Sequence, residues 1–95
     1  MQSDSRRELR KRGSETKPTV HIGKDGITDG LVEEIRLQIK KHKLVKIRVL
    51  PSAERSREEI AKELETRTSS RLVEIRGNTV LLCDDSLFEV GRRSH

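Results

Sequence analysis

The sequence predicts a two-layer α/β sandwich: an N-terminal helix, then the order β-α-β-α-β-β, with helices on one face of a four-stranded mixed sheet. Three observations carry this prediction. Two alternating apolar stretches, 17–22 and 44–50, flank a stretch with helical spacing, which indicates a parallel strand–helix–strand unit. A second helical stretch opens with the capping-box pattern Ser56-Arg57-Glu58-Glu59. Two later apolar runs are joined by Gly77-Asn78, a strong hairpin signal.

We expect residues 1–16 to form a basic N-terminal segment that is partly helical, with the helix ended by Gly13. Leu9 is its only large apolar residue after Met1, so the helix has little to bury and is expected to be marginal. The segment either contacts an anionic partner as a basic arm or is a solvated terminus. In the first case the candidate contacts are three arginines: Arg6, Arg7 and Arg10.

The first strand leads into a glycine loop and a helix start. Val20 and Ile22 are expected to face the core, with His21 on the opposite side. The loop 23–26 has glycine at both ends, which permits a sharp turn and a close approach to a ligand. Thr28 is of a preferred N-cap type, so the helix is expected to begin there.

The loop has the features of a phosphate site. A helix start leaves unpaired N–H groups with a partial positive charge, and Lys24 adds a full positive charge at the tip. A pair of glycines three residues apart is nevertheless common in ordinary strand-to-helix turns. The loop alone therefore leaves both interpretations open.

The helix that follows and the second strand carry a set of basic residues. The apolar face of the helix, which runs to about Lys43, is expected to consist of Leu31, Val32, Ile35 and Ile39. In the strand 44–50, Val45, Ile47 and Val49 point to the core, while Lys46 and Arg48 point the other way. The sequence thus predicts a basic stripe on the open face of the sheet.

The remaining elements complete one domain over residues 17–84, with 85–95 as a C-terminal tail. The helix that starts at Ser56 turns Ile60, Ala61 and Leu64 inward and ends near Thr68. In the hairpin, Val73 and Ile75 are expected to face the core together. The continuous run Val80-Leu81-Leu82 is typical of a strand that is covered on both faces.

Composition restricts the partner and the binding mode. The chain has 95 residues, 39% of them charged, a mean hydropathy of -0.77 and a formal net charge of +5. This balance favours an anionic partner, nucleic acid before an acidic membrane. The chain lacks tryptophan and tyrosine, and its single phenylalanine is Phe88. Aromatic stacking platforms are therefore excluded, and RNA would be held by backbone N–H groups, basic side chains and shape.

Other classes of function find no support in the sequence. Cys83 is the only cysteine, which excludes an intramolecular disulfide and a cysteine-rich zinc site and fits a reducing compartment. We expect no catalytic group, metal or cofactor, because no cluster has the required spacing. Residues 1–12 lack the apolar core of a signal peptide, and no stretch is long enough to span a bilayer. A cytoplasmic monomer without membrane contact is expected.

One stretch joins the first strand, the loop and the helix start: Lys17-Pro18-Thr19-Val20-His21-Ile22-Gly23-Lys24-Asp25-Gly26-Ile27-Thr28. It resembles the opening of the YhbY-like, or CRM (chloroplast RNA splicing and ribosome maturation), domain. The similarity covers residues 9–83 and continues in order through further motifs: 31–35, 42–49, 60–61, Thr68, 72–73 and 77–82. By this resemblance the chain is identified as a single-domain prokaryotic member, expected to be archaeal.

The resemblance implies a fold similar to the C-terminal domain of the third bacterial translation initiation factor, with a KH-like GxxG loop. It implies RNA binding without catalysis, since bacterial single-domain members associate with precursors of the large ribosomal subunit and plant members act in organelle splicing. We therefore expect a ribosome-assembly factor whose partner is ribosomal RNA or a pre-ribosomal particle. The expected RNA contacts are the loop, the helix start and nearby basic residues: Lys17, Gly23, Lys24, Asp25, Gly26, Thr28, Lys46 and Arg48, with Arg6, Arg7, Arg10 and His21 as further candidates.

The chain departs from the family pattern at two places. Ser69 stands where the family often has glycine, which weakens a helix C-cap. Cys83-Asp84 stands where a Tyr-Arg pair often closes the last strand, and Asp84 would repel a phosphate. Two alternative functions stay open: a protein–protein interaction module that docks through its sheet, and an accessory role in RNA splicing or as an RNA chaperone.

Overall fold

A computed structural model describes residues 3–84, with side chains from residue 7 onward. The predicted tail 85–95 lies outside the described residues. The elements follow the predicted order: α1 (Ser3–Ser14), β1 (Val20–Ile22), α2 (Asp29–His42), β2 (Leu44–Val49), α3 (Arg57–Thr68), β3 (Ser70–Arg76) and β4 (Thr79–Asp84). The α/β class and the element order predicted from the sequence are confirmed.

The four strands form one mixed sheet in the order β1-β2-β4-β3. β1 and β2 are parallel and joined through α2, while the β2–β4 and β4–β3 pairs are antiparallel. The central position of β4 explains its continuous apolar run. Val80, Leu81, Leu82 and Cys83 are all buried, because the sheet is covered on both faces at this strand.

The main core lies between one face of the sheet and the helices α2 and α3. The predicted apolar spacing of both helices is confirmed, since Ile35, Ala61 and Leu64 are fully buried there. The core is completed by alternate residues of the strands, because successive side chains of a strand point to opposite faces of the sheet. Its buried members are Val20, Ile22, Ile35, Ile39, Val45, Ile47, Val49, Ile60, Ala61, Leu64, Val80 and Leu82.

Both core helices have caps that the sequence predicted. Thr28 Oγ1 accepts a hydrogen bond from the Leu31 N–H group at 3.1 Å. Ser56 and Glu59 form the reciprocal capping box at the start of α3. The C-cap of α3 is Ser69, at φ 55°, so a serine occupies the left-handed position that glycine prefers.

The first helix packs on the opposite face of the sheet. Leu9 is 5% exposed and lies in a second cluster with four sheet residues: Leu44, Val73, Leu81 and Cys83. The prediction that Gly13 ends the helix is wrong. α1 continues to Ser14, and Gly13 is buried so close to Leu81 that a Cβ at this glycine would lie 2.2 Å from Leu81 Cδ2. Glycine therefore permits a close contact here, and part of the predicted open face is covered.

The prediction that Val73 and Ile75 share one face is also wrong. β3 has a bulge between Leu72 and Glu74, and the inserted residue reverses the alternation of the strand. Val73 consequently joins the cluster under α1, while Ile75 packs against the main core. The bulge lets one strand contribute apolar side chains to both layers of helices.

The contact between α1 and the sheet can be tested by Gly13→Ala. We expect this change to lower the free energy of unfolding by about 1–3 kcal/mol, because the new Cβ overpacks the buried Leu81 side chain. Urea unfolding followed by circular dichroism measures the effect.

Gly30→Ala is the matched control, since a Cβ at Gly30 on α2 would have no atom within 4 Å. We expect it to raise stability by up to about 1 kcal/mol through helix propensity. Equal stabilisation by both substitutions would contradict the close packing of α1.

Candidate nucleic-acid interface

The glycine loop is a tight turn with a charged tip. The Gly26 N–H group donates to the Gly23 carbonyl at 3.0 Å, and Lys24 and Asp25 lie exposed between them. Gly26 has φ 69°, in the left-handed region that favours glycine, with open space around the position of a Cβ. The turn therefore holds Lys24 just beyond the carboxyl end of β1.

The first glycine of the loop, Gly23, is required for a different reason. A Cβ at Gly23 would lie 3.0 Å from Ser52 Oγ, because the segment after β2 passes close by. This segment is tied to β1 by the Leu50 N–H group, which donates to the Ile22 carbonyl at 2.8 Å. Gly23 thus allows two pieces of the chain to approach each other, and Gly26 allows the turn.

Some backbone N–H groups of the loop and helix start are used by the fold, and others have no acceptor within residues 3–84. The Gly26 N–H group is used by the turn. The Leu31 N–H group donates to the side chain of Thr28, and the Val32 N–H group donates to the Thr28 carbonyl. Within residues 3–84, the N–H groups of Asp29 and Gly30 have no acceptor. These two donors lie at the positive end of the α2 dipole.

The loop itself is close to neutral. The Lys24 ammonium has no hydrogen bond or ion pair within residues 7–84, but Asp25 beside it carries the opposite charge. Asp29 opens α2 with a second carboxylate, whose Oδ1 accepts from Arg67 Nη2 at 2.9 Å. A phosphate at the loop would therefore need positive charge from neighbouring elements as well.

A depression of about 270 Å³ lies between the loop and the segment before α3. Lys24 and Arg55 line it together with Asp25 and Glu54, so its charges balance. Arg55 is moreover bonded to Glu63, and this hydrogen bond, followed by that from Arg67, lowers the pKa of the Glu63 carboxyl. The depression is a poor anion site, and the side of the loop towards the sheet is the better candidate.

On that side, His21 and Arg48 stand next to each other. They are paired in the parallel β1–β2 register and point away from the main core, since Ile22 and Ile47 beside them are buried in it. Both side chains are exposed. β1 and β2 end at the same edge of the sheet, so this pair lies directly beside the glycine loop.

Lys46 does not belong to an open basic stripe. Its Nζ donates to the carbonyl oxygens of Gly13 at 3.0 Å and of Thr16 at 3.2 Å, and the side chain is half-buried. A lysine in this position neutralises the carbonyl end of α1. The prediction of an open basic stripe is therefore wrong at Lys46, because its ammonium is bonded to carbonyl oxygens at the end of α1. Of Lys46 and Arg48, only Arg48 is exposed.

The other candidate residues lie away from the loop. Lys17 is exposed, but it precedes β1 and so lies at the opposite end of this strand. Arg7 and Arg10 are exposed on α1, whose contacts are with sheet residues further from the loop edge; Arg6 is on the same helix, with its side chain outside the described part. Asp84, expected to repel phosphate, is 3.5 Å from Lys43 Nζ in an ion pair.

Residues 1–83 match the model of the CRS1/YhbY (CRM) domain. The chain belongs to this family. It is 30% identical over 81 residues to the probable RNA-binding protein YqeI of Bacillus subtilis, covering 85% of this chain and 84% of that protein. The solution structure of SAV1595 from Staphylococcus aureus, described as a candidate RNA-binding protein, matches this CRM-domain fold with a TM-score of 0.73. That match has 27% identity and covers 86% of this chain and 85% of the other.

Metal-binding clusters and membrane-spanning helices are both absent from the described residues. Residues 3–84 contain no group of three or more His, Cys, Asp or Glu side chains arranged to hold a metal ion. None of the helices in this part of the chain has the length and apolar character that crossing a bilayer requires.

The different positions of Lys46 and Arg48 predict different effects on stability. We expect Lys46→Met to lower the free energy of unfolding by about 1–2 kcal/mol, because it removes charged hydrogen bonds to the end of α1. Arg48→Met is the matched control on the same strand and should stay within about 0.5 kcal/mol of the parent. Urea unfolding of both variants checks this. An unchanged free energy of unfolding for Lys46→Met would contradict the role of Lys46 in holding α1.

Proposed function

We propose that this CRM-domain protein binds RNA without catalysing a reaction, and that it contacts the RNA backbone at the loop 23–26. One observation carries the proposal. Lys24 stands exposed at the tip of a turn that leads into α2, where the N–H groups of Asp29 and Gly30 have no acceptor within residues 3–84. The relatives named as RNA-binding proteins support RNA as the anion.

The binding mode follows from the chemistry of this edge. A phosphate oxygen accepts from the N–H groups at the start of α2, and the Lys24 ammonium pairs with the same phosphate or its neighbour. The near neutrality of the loop makes the basic residues of the adjacent sheet part of the site. Phosphate contacts position a protein without reading bases, so specificity comes from RNA shape and affinity falls with salt.

The proposed biological role is association with precursors of the large ribosomal subunit. Membership of the CRM family supports this proposal, because the resemblance to single-domain members implies this partner. A protein of this kind needs no active site, and its net charge of +5 favours association with ribosomal RNA.

Lys24→Ala tests the loop directly. We expect weaker RNA binding and a slope of log affinity against log salt that is flatter by about one unit, because the variant makes one phosphate contact fewer. The measurement is a fluorescence-anisotropy titration of the full chain with labelled RNA over a series of salt concentrations. Lys62→Ala, which removes the same charge from an exposed position on α3, is the control. Equal slopes and affinities for both variants would exclude the loop as the RNA-binding site.

The partner is tested by crosslinking and sequencing of RNA bound to the tagged protein in its own cells, for the parent and Lys24→Glu. We expect enriched large-subunit ribosomal RNA in the parent and no such enrichment in the variant, because the variant replaces the loop cation by an anion. Enrichment of another RNA class would overturn the assembly role. The absence of any enrichment in the parent would overturn RNA binding and favour a protein-docking module.

A further inference from the structure

One strip of the sheet is left uncovered by α1. The helix lies over Leu81, which pairs with Lys46 across the β2–β4 ladder. Two residues further along both strands, Arg48 pairs with Thr79, and neither residue belongs to the apolar cluster that Leu9 of α1 forms with the sheet. This uncovered row is the one nearest to the glycine loop and the β3–β4 turn.

The row crosses all four strands. His21 pairs with Arg48, Arg48 with Thr79, and Thr79 with Arg76, in the strand order β1-β2-β4-β3. Directly paired residues share one face of a sheet, so all four side chains lie on the face opposite the main core. At a strand spacing of about 4.8 Å, the row spans about 14 Å.

The row is exposed and its cations have no internal partner. His21, Arg48 and Arg76 are exposed, and within residues 7–84 none of these three side chains has a hydrogen bond or an ion pair. Thr79 is half-buried, with its hydroxyl bonded to the Arg76 carbonyl at 2.7 Å. The nearest carboxylate on this face by register is Glu74, which lies one row back opposite Leu81 and is half-buried.

Several of the other arginines and lysines in the described part have partners within the fold. Arg55 bonds Glu63, and Arg67 bonds both Glu63 and Asp29. Arg57 reaches the Gly77 carbonyl, and Lys46 holds the end of α1. Against this background, two unpaired guanidinium groups on one flat row, with a histidine at its end, mark a surface that is available to an anionic ligand.

We propose that the row His21–Arg48–Thr79–Arg76 binds a single-stranded segment of RNA that continues from the phosphate held at the loop. This inference rests on the proposed function. It adds that the bound RNA is single-stranded and that it runs from the loop along this row. Ile22 alone separates His21 from Gly23, so a strand that leaves the loop meets the row at once.

The chemistry and shape of the row select a single strand. Arginine planes and an imidazole can stack on unpaired bases while their N–H groups bond phosphates, which substitutes for the aromatic platform this chain lacks. A duplex shields its base faces and offers only its backbone. α1, about 10 Å thick with its side chains, also stands along one side of the strip and leaves a shallow path one row wide.

The experiment uses the full chain and two labelled RNAs, an unstructured twelve-nucleotide strand and a blunt duplex of the same length. We expect Arg48→Ala and Arg76→Ala each to weaken single-strand binding about tenfold, with a smaller loss for the duplex. Arg36→Ala is the matched control, because Arg36 is an exposed arginine on α2, on the other side of the sheet. It should change single-strand affinity less than twofold.

Arg48→Lys separates stacking from charge. It should keep the salt slope of the parent and still bind the single strand several-fold more weakly, because the ammonium has no plane to stack on a base. A parental affinity for Arg48→Lys would overturn the stacking contact. Urea unfolding of each variant confirms that the fold is retained.

The outcomes separate this inference from the proposed function. If Lys24→Ala weakens binding while Arg48→Ala and Arg76→Ala do not, the row is excluded and the loop site stands. If the row variants affect duplex and single strand equally, the single-strand path is overturned. If the parent binds neither RNA, both proposals fall.

Discussion

The pairing of β2 with β4 at the centre of the sheet is the interaction on which the rest of the structure depends. Both strands are buried on two faces for part of their length, so their apolar side chains support α2 and α3 on one side and α1 on the other. The same register also decides which polar residues meet. It places Lys46 opposite Leu81, under α1, and Arg48 opposite Thr79, beyond it. On this face of the sheet, the covered row and the open row are therefore only two residues apart along each strand.

A small basic protein must separate cations that stabilise the fold from cations that are free to bind. Here the separation follows from proximity to helix ends and carboxylates. Lys46 meets the carbonyl end of α1, and Arg67 meets Asp29 at the start of α2. Such partnered groups are poor ligands for RNA, because binding would have to replace an existing bond. Lys24 and Arg48 have no such partner within residues 7–84, which is why the proposed site is built around them.

The glycine loop gains its proposed function from its surroundings. Its own charges nearly cancel, and its two glycines have separate structural reasons, a close approach of Ser52 and a left-handed turn. What makes this edge a candidate for RNA is the junction of two features. The α2 start offers open N–H groups, and the neighbouring row of the sheet offers unpaired cations. Either feature alone is common on protein surfaces; their adjacency results from a parallel β1–β2 pair that ends at the loop.

The elements, the caps of α2 and α3, the hairpin, the main core and the family all follow from the sequence. These features depend on residues that are near in the chain, through the periods of 2 and 3.6 residues and through local hydrogen bonds. The bulge that separates Val73 from Ile75, the close contact at Gly13 and the role of Lys46 emerge only in the folded chain. Each of these depends on a partner in a distant segment, and strand register and helix docking are set by the packing of the whole chain, which no local pattern encodes.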